Sequence, residues 1–176
     1  MSLCIVANWK LNGSREFNQQ WALEFLKHFN GNNFQSFGIA PASLYIDHLK
    51  EILNNCGIKI GAQNIDYLEA GARTGEISAS MIKDLGCEFC IIGHSERRTL
   101  FNETSQIIHQ KLIQANNNSV IPILCVGESA EDNQKNNTFN VLEKQIIEAL
   151  QGIAELSSLI IAYEPVWAIG SGKIPE

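Results

Sequence analysis

The sequence predicts an α/β protein whose parallel strands form a (βα)8 barrel, with residues 1–176 supplying roughly the first six βα units as a single domain. Short apolar runs recur along the chain, and each is followed by a stretch with helical periodicity. The runs end at intervals of about 23 to 38 residues, the length of a strand, a helix and two loops. They read LCIVAN, SFGIAP, IKIGAQN, FCIIGH, VIPILCVG and LIIAYEP.

The runs are mostly apolar rather than alternating, as expected for parallel strands that are covered on both faces. Between them, apolar residues repeat with the helical period of about 3.6. We interpret this stripe, including its aromatic members, as core packing. Its members are Phe17, Trp21, Ala22, Phe25, Leu26 and Phe29, then Ile107, Ile108, Leu112 and Ala115, then Leu142, Ile146, Leu150 and Ile153.

Polar side chains collect at or just past the carboxyl ends of the runs, where a βα barrel places its active site. A doubly wound nucleotide-binding fold would instead carry a glycine-rich first turn. The first turn here, residues 8–13, has no such glycine pattern, so the barrel is favoured. The polar residues are Asn8, Gln63, Asn64, His94, Glu128 and Glu164.

Six units do not close an eight-stranded barrel. We therefore expect the first and sixth strands to expose long apolar edges. The chain is expected to be a fragment, or an incomplete part of a longer protein, that stops before the last two strands.

Composition limits the classes of function. Apolar residues make up 45% and charged residues 18% of the chain, which is typical of a globular protein. The net charge of −6 disfavours nucleic-acid binding but allows a small anionic substrate. The N-terminal sequence MSLCIVANWK has no signal-peptide pattern, and no apolar run approaches the roughly 20 residues of a membrane helix. We expect a cytoplasmic protein without a membrane partner.

The five cysteines include a CxxC pair, Cys87 and Cys90. A zinc or redox site would need a second ligand pair, or a helix N-terminus that lowers the pKa of a thiol. This pair instead begins the apolar run CEFCIIG, where residues three apart point to opposite faces of a strand. We predict buried free thiols and no metal site.

Glu164 is the candidate base. Its carboxylate ends an apolar strand and precedes Pro165-Val166-Trp167, so it is expected to be partly withdrawn from water. Desolvation raises the pKa of a carboxylate and makes it a stronger base. A structural ion pair is the alternative interpretation.

His94 and Lys10 are candidates for stabilising negative charge on oxygen. His94 opens a helical turn, whose N-terminus disfavours an imidazolium and leaves a neutral donor. Lys10 follows the first strand, where an ammonium could hold an anionic substrate. A structural histidine and a solvated surface lysine are the alternatives.

The segment from Pro165 to Lys173 has the composition of a lid, because a stiff beginning is followed by Gly170-Ser171-Gly172. Glycine-rich amides bind phosphate groups, although a generic flexible loop would have the same glycines. A base, a neutral donor, a cation and a phosphate-binding lid on one barrel face suit proton abstraction next to a carbonyl.

Several segments together resemble the triosephosphate isomerase family, and the resemblance runs from end to end of the chain. The segments are residues 8–10 (NWK), 62–64 (AQN), 71–78 (GARTGEIS), 93–98 (GHSERR), 125–128 (CVGE) and 162–173 (AYEPVWAIGSGK). The resemblance implies a TIM barrel that interconverts dihydroxyacetone phosphate and D-glyceraldehyde 3-phosphate through an enediolate, in glycolysis and gluconeogenesis.

The resemblance also assigns roles to these residues. The pairing of a glutamate base with a histidine electrophile is established for this family. Glu164 would be the base, His94 the electrophile, and Lys10 with Asn8 would bind the substrate. The supporting residues would be Ser95, Glu96 and Cys125, and the lid would contact phosphate through Gly170 and Ser171. No metal or organic cofactor is implied.

The family resemblance further implies a homodimer. The loop at residues 71–78, with Thr74, Gly75 and Glu76 at its centre, would enter the neighbouring subunit. An ordinary surface loop is the alternative. Two departures are evident: Ser171 stands where many members have threonine, and the family's remaining phosphate-binding glycines follow the seventh and eighth strands.

Two other functions remain open. A related sugar-phosphate isomerase or epimerase would explain the strands and glycines but not the motifs together. An epimerase often needs a metal cluster of histidine and aspartate, and His28, His48 and His109 lie in helical stretches away from strand ends. A non-catalytic fragment is the second alternative.

Overall fold

The structure, a computed structural model, describes residues 4–29 and 36–169. Six parallel strands form one open half-barrel in the order β1-β2-β3-β4-β5-β6, which confirms all six predicted strands and the fold class. Each strand pairs with its sequence neighbour, as successive βα units require. The strands are β1 (Cys4–Asn8), β2 (Ser36–Ala40), β3 (Ile58–Ala62), β4 (Phe89–Ile92), β5 (Ile121–Val126) and β6 (Ile160–Tyr163).

Helices lie in the connections between neighbouring strands. They are α1 (Arg15–His28), a one-turn 3₁₀ helix (Ser43–Tyr45), α2 (Ile46–Ile52), α3 (Ala79–Asp84), α4 (Ser95–Leu100), α5 (Ser105–Asn117), α6 (Ala130–Gln134) and α7 (Thr138–Leu150). Serine or threonine begins four of them, because its side chain accepts a free backbone N–H of the first turn. The predicted third stripe continues to Ile153, but α7 ends at Leu150, before the left-handed Gly152 (φ +74°).

The sheet separates two apolar layers. The outer layer packs between the strands and the helices, and the inner layer fills the concave side of the sheet. Phe89 occupies the inner layer and is 3% exposed. Its ring lies where side chains of the two preceding strands would stand: a Cβ on Gly61 would come within 2.4 Å of it, and one on Gly38 within 2.8 Å. The absence of those side chains lets the aromatic ring fill the barrel floor.

Apolar side chains are exposed along both edge strands, as the six-unit count predicts. Val6 of β1 is 36% exposed and Ile161 of β6 is 47% exposed. Within the described residues, the outer edges of β1 and β6 pair with no other strand. Parallel strands are normally covered on both faces, so these edges leave the inner layer open to water.

Burial of the thiols follows the prediction in part. Cys87, Cys90 and Cys125 are buried, but Cys4 is exposed because it lies on the open β1 edge, and Cys56 is half-buried. Cys87 precedes β4 rather than lying in it. Burial raises the pKa of Cys87 to about 11, which disfavours a reactive thiolate.

Across residues 4–29 and 36–169, His, Cys, Asp and Glu side chains form no group of three or more that could hold a metal ion. None of the helices in those ranges combines the length and apolarity needed to cross a bilayer.

Candidate active site

Several predicted site residues meet at the carboxyl ends of the strands, around a cavity of about 450 Å³. Asn8 ends β1, Cys125 lies near the end of β5, and His94 and Glu164 follow β4 and β6. Lys10 lines the same cavity from the first loop. The apolar floor is formed by the inner layer and by the exposed edge strands, including Val6, Ile91, Ile123 and Ile160.

Glu164 receives hydrogen bonds at both carboxylate oxygens. The His94 Nε2 atom lies 2.9 Å from Glu164 Oε1, and the backbone N–H of Ser95 donates to Oε2 at 3.1 Å. The Cys125 thiol also bonds to this carboxylate. The side chain of Glu164 is 19% exposed.

These donors reverse the expected pKa shift. Burial is the largest single influence and raises the pKa of Glu164, but the bonds from His94, Ser95 and Cys125 together lower it below its ordinary value. The expected net rise in this pKa is therefore wrong for this arrangement, although burial acts in the expected direction. Position along the chain indicates burial, but it does not reveal three donors from other strands.

His94 is held by the helix that it caps. Its Nδ1 atom accepts the backbone N–H of Glu96 at 3.2 Å. An accepting Nδ1 carries no proton, so this contact favours the neutral tautomer with its proton on Nε2, the atom that faces Glu164. The geometry supports the predicted neutral donor.

Lys10 has a left-handed backbone, with φ of +53°. Two amide side chains hold it: Asn8 Oδ1 accepts the Lys10 N–H at 3.0 Å, and Gln63 Nε2 donates to the Lys10 carbonyl at 2.9 Å. Gln63 also donates to the carbonyl of Ala40 at 2.9 Å, which ties the first loop to the ends of β2 and β3. The sequence marks Gln63 only by its position directly after a strand. An outlier of this kind costs of order 1–3 kcal/mol and persists where the surroundings enforce it.

Glu96 lies between the two charge-stabilising candidates. Its Oε1 atom pairs with Lys10 Nζ at 2.7 Å, and its Oε2 atom is 3.5 Å from His94 Nδ1. The side chains of Lys10 and Glu96 are 40% and 44% exposed. A half-exposed ion pair contributes little stability, so an anionic ligand can replace the carboxylate at low cost.

Comparison with known proteins gives a consistent result. The sequence model of the triosephosphate isomerase family matches residues 3–176. The chain belongs to the triosephosphate isomerase family. Its six strands are accordingly part of a TIM barrel.

Three relatives show the extent of the match. The triosephosphate isomerase of Nitrosococcus oceani is 41% identical over 171 residues, covering 96% of this chain and 68% of the relative. That of Aquifex aeolicus is 43% identical over 175 residues, covering 98% and 70%. That of Enterobacter cloacae is 42% identical over 171 residues, covering 96% and 67%.

The first part of the predicted lid is tied to a buried carboxylate. Glu128, the second residue after β5, is fully buried, and its Oε1 atom accepts bonds from Trp167 Nε1 at 2.7 Å and Tyr163 Oη at 3.0 Å. Burial raises the pKa of Glu128, but these donors together hold it below its usual value. The sequence identifies Glu128 only as a strand-end residue, since Tyr163 and Trp167 are 35 and 39 positions further along the chain. Gly170 and Ser171 lie outside the described residues.

The predicted dimer loop is exposed from Gly71 to Glu76, including Thr74 and Gly75. Within this loop, Arg73 Nη2 pairs with the buried Asp66 at 2.7 Å, and its guanidinium lies 4.7 Å from the ring centroid of Tyr67. These contacts fix the loop at its root and leave its tip available to another molecule. The homodimer stays a prediction.

Proposed function

We propose that the chain is a triosephosphate isomerase that interconverts dihydroxyacetone phosphate and D-glyceraldehyde 3-phosphate by proton transfer. Relatives of that name align with at least 96% of the chain at 41–43% identity. The observation that carries the mechanism is the contact between Glu164 and His94 Nε2 at the rim of the cavity. It pairs an ionised acceptor with a neutral donor, as proton abstraction beside a carbonyl requires.

Glu164 takes a proton from the carbon next to the carbonyl, and the electron pair moves onto the carbonyl oxygen to give an enediolate. His94 Nε2–H donates to the oxygens on which this charge develops. The proton of the neighbouring hydroxyl group then passes to the former carbonyl oxygen by way of His94 Nε2. Glu164 returns its proton to the carbon that carried the original carbonyl, and the former hydroxyl oxygen becomes the new carbonyl. The reaction only relocates hydrogen and the double bond, so no oxidant or reductant is consumed.

Substrate entry changes the strength of the base. A substrate oxygen that takes the donor bond of His94 removes one of the contacts that lower the pKa of Glu164. The influence of burial, which raises this pKa, then dominates. Glu164 is thus kept ionised before binding and becomes a stronger base when the substrate is in place.

Lys10 supplies the positive charge at the mouth of the cavity. Its ammonium exchanges the exposed Glu96 carboxylate for the anionic substrate, while Asn8 and Gln63 keep its backbone in place. Phosphate contact from Gly170 and Ser171, inferred from the sequence, is part of the same proposal.

The domain, assembly and location are also proposed. We take residues 1–176 as a single barrel domain that forms a homodimer through the loop around Thr74, Gly75 and Glu76. Exposed apolar side chains on the two preceding loops, Leu11 at 98% and Leu44 at 87%, support an interface on this face. All five cysteines lie in the described residues and are unpaired, which supports a reducing compartment such as the cytoplasm.

The test is isomerisation in deuterium oxide. The purified chain is incubated with dihydroxyacetone phosphate, and proton NMR follows both product formation and deuterium uptake at carbon. Removing the base in Glu164→Gln should lower kcat by about 10³-fold, within the range for a general base. Glu131→Gln, an exposed residue paired with Lys135, is the matched control and should keep full activity.

Absence of both isomerisation and exchange in the wild-type chain would overturn the catalytic assignment. If dihydroxyacetone phosphate still bound, that result would favour the non-catalytic fragment.

A further inference from the structure

Arg98, in α4, joins the ends of two strands beneath the candidate active site. Its Nε atom donates to the carbonyl of Gly93 at 2.7 Å, and its Nη2 atom donates to the carbonyl of Cys125 at 2.9 Å. The mechanism proposed above does not use Arg98, which touches neither the Glu164–His94 pair nor Lys10 in a hydrogen bond among the described contacts.

The Arg98 guanidinium links β4 and β5 just beyond the last backbone pair of their ladder. The register between β4 and β5 ends with the pair Ile92 and Leu124. Gly93 and Cys125 are the next residues along these two segments of the chain. Arg98 bridges their carbonyls in place of a further ladder bond. The planar guanidinium suits this task because its donors stand in a fixed geometry.

The two bridged backbones carry every donor that the structure places on Glu164. Gly93 directly precedes His94 and Ser95, which bind the two carboxylate oxygens. Cys125 contributes its thiol from the other strand. A change in the separation of Gly93 and Cys125 therefore moves these donors relative to one another.

Local packing is adapted to this side chain. Gly93 has φ of +71°, and a Cβ there would lie 3.0 Å from Arg98 Nη2 and 3.1 Å from Ile108. A cavity of about 220 Å³ borders Arg98, Ser95 and Glu164, so apolar packing alone does not fix this region. Burial lowers the pKa of Arg98, a cost that a purely structural filler would avoid.

We propose that Arg98 is a positioning residue that sets the spacing between the loop after β4 and the end of β5, and thereby the geometry of the donors on Glu164. This inference rests on the proposed function. Arg98 acts through His94, Ser95 and Cys125 and does not contact the substrate.

Two substitutions at this position separate geometry from charge. Arg98→Met keeps the length of the side chain but removes both donors, and Arg98→Lys keeps the charge but can reach only one carbonyl well. Arg15→Met, at an exposed arginine of α1, is the matched control.

The kinetic expectation is a fall in kcat with little change in KM. Misplacement of a catalytic pair by a fraction of an ångström costs roughly 10- to 100-fold in rate. We expect a loss of this size for Arg98→Met, a smaller loss for Arg98→Lys, and KM within about two-fold of wild type for both because the binding groups are retained. A rise in KM with unchanged kcat would overturn the proposal.

A second measurement does not depend on turnover. NMR of the same chains reports the amide shift of Ser95 and the carboxyl titration of Glu164, whose charged or titratable neighbours are His94, Cys125 and Arg98. In both Arg98 variants the Ser95 amide signal should move upfield of its wild-type position, and Glu164 should titrate at higher pH than in wild type because its donors are weakened.

The two readouts distinguish the possible failures. A wild-type chain without isomerase activity would contradict the proposed function, while the NMR comparison would still decide the positioning role. Unchanged Ser95 and Glu164 signals in a folded Arg98→Lys chain would overturn the positioning role even if the variant were less stable. If Arg98→Met does not fold, Arg98→Lys alone supplies both readouts.

Discussion

At the scale of single residues, the candidate site depends on competition between burial and hydrogen bonding at Glu164. The carboxylate is withdrawn from water, which favours its neutral form, yet three donors stabilise its charge. The balance can be shifted by a substrate that takes over one donor. The proposed base is already ionised before the substrate binds, so its carboxylate loses no proton before it acts.

The pH dependence of kcat/KM tests this balance. Because the pKa of Glu164 lies below its ordinary value of 4.5, the base should remain ionised as the pH falls to that value, and activity should be lost only below it. Cys125→Ala removes one donor to the carboxylate and should move the acid limb to higher pH. The acid limb is measured from steady-state rates between about pH 3.5 and 8, a range that includes the reference pKa of a carboxyl group.

Cys87→Ala is the control for this prediction, since Cys87 is also buried but packs in the outer layer away from Glu164. Its acid limb should coincide with that of wild type. If Cys125→Ala left the limb in place, the thiol would have no measurable influence on the base.

At the scale of the elements, helices place the site through the loops that follow the strands. Gln145 of α7 pairs with both backbone groups of Gly127, accepting its N–H and donating to its carbonyl, each at 3.0 Å. The other side of Gly127 faces the backbone of Glu164: an added Cβ would lie 1.8 Å from the Glu164 carbonyl oxygen. The backbone of Glu164, the proposed base, thus lies against a glycine that α7 holds through Gln145.

Gly127→Ala should therefore displace the end of β6. We expect a loss of about 1–3 kcal/mol in the free energy of unfolding, typical of overpacking, together with a marked fall in kcat. Urea unfolding and steady-state kinetics measure the two effects.

Gly152→Ala provides the contrast. Gly152 is left-handed (φ +74°) but has open space around its Cβ position, so alanine there should cost stability through backbone strain and leave kcat unchanged. Equal kcat losses in both variants would show that Gly127 has no special relation to Glu164.

The sequence predicts elements better than it predicts the contacts between them. Apolar runs and polar strand ends locate the six strands and bring Asn8, His94 and Glu164 to one face, because these patterns are local. The direction of the pKa shift at Glu164 is missed, since its Ser95 donor is 69 positions away in the chain. The contacts of Glu128 with Tyr163 and Trp167, and of Arg98 with Cys125, are missed for the same reason: these partners are 35, 39 and 27 positions away in the chain.

At the scale of the whole molecule, two different surfaces are apolar. The edges of β1 and β6 expose strand residues beside the cavity, whereas the loops after β1 and β2 expose Leu11 and Leu44. The loop at residues 71–78 follows the adjacent strand β3, so these three loops lie at neighbouring positions on one end of the sheet. Their proximity makes this end the candidate dimer interface.

Sedimentation velocity at micromolar concentration tests the dimer. The mass obtained for the wild-type protein should be twice the 19.5 kDa of a single chain. Leu44→Glu places a charge in the interface and should yield monomers, because an unpaired charge is costly to bury. Phe139→Glu, at an equally exposed apolar residue of α7, should remain dimeric. A wild-type monomer would contradict the proposed assembly.

The ring of Phe89 has a consequence for how this barrel can change over generations. The ring occupies the space that side chains at Gly38 and Gly61 would fill, so a larger residue at Gly61 requires a smaller one at position 89. Either change alone should lower the stability, through a clash at Gly61 or a cavity at Phe89, whereas the exchange preserves the filled volume. Among related chains, these three positions should therefore covary. The combined side-chain volume at the three positions should be constant even where each single residue varies.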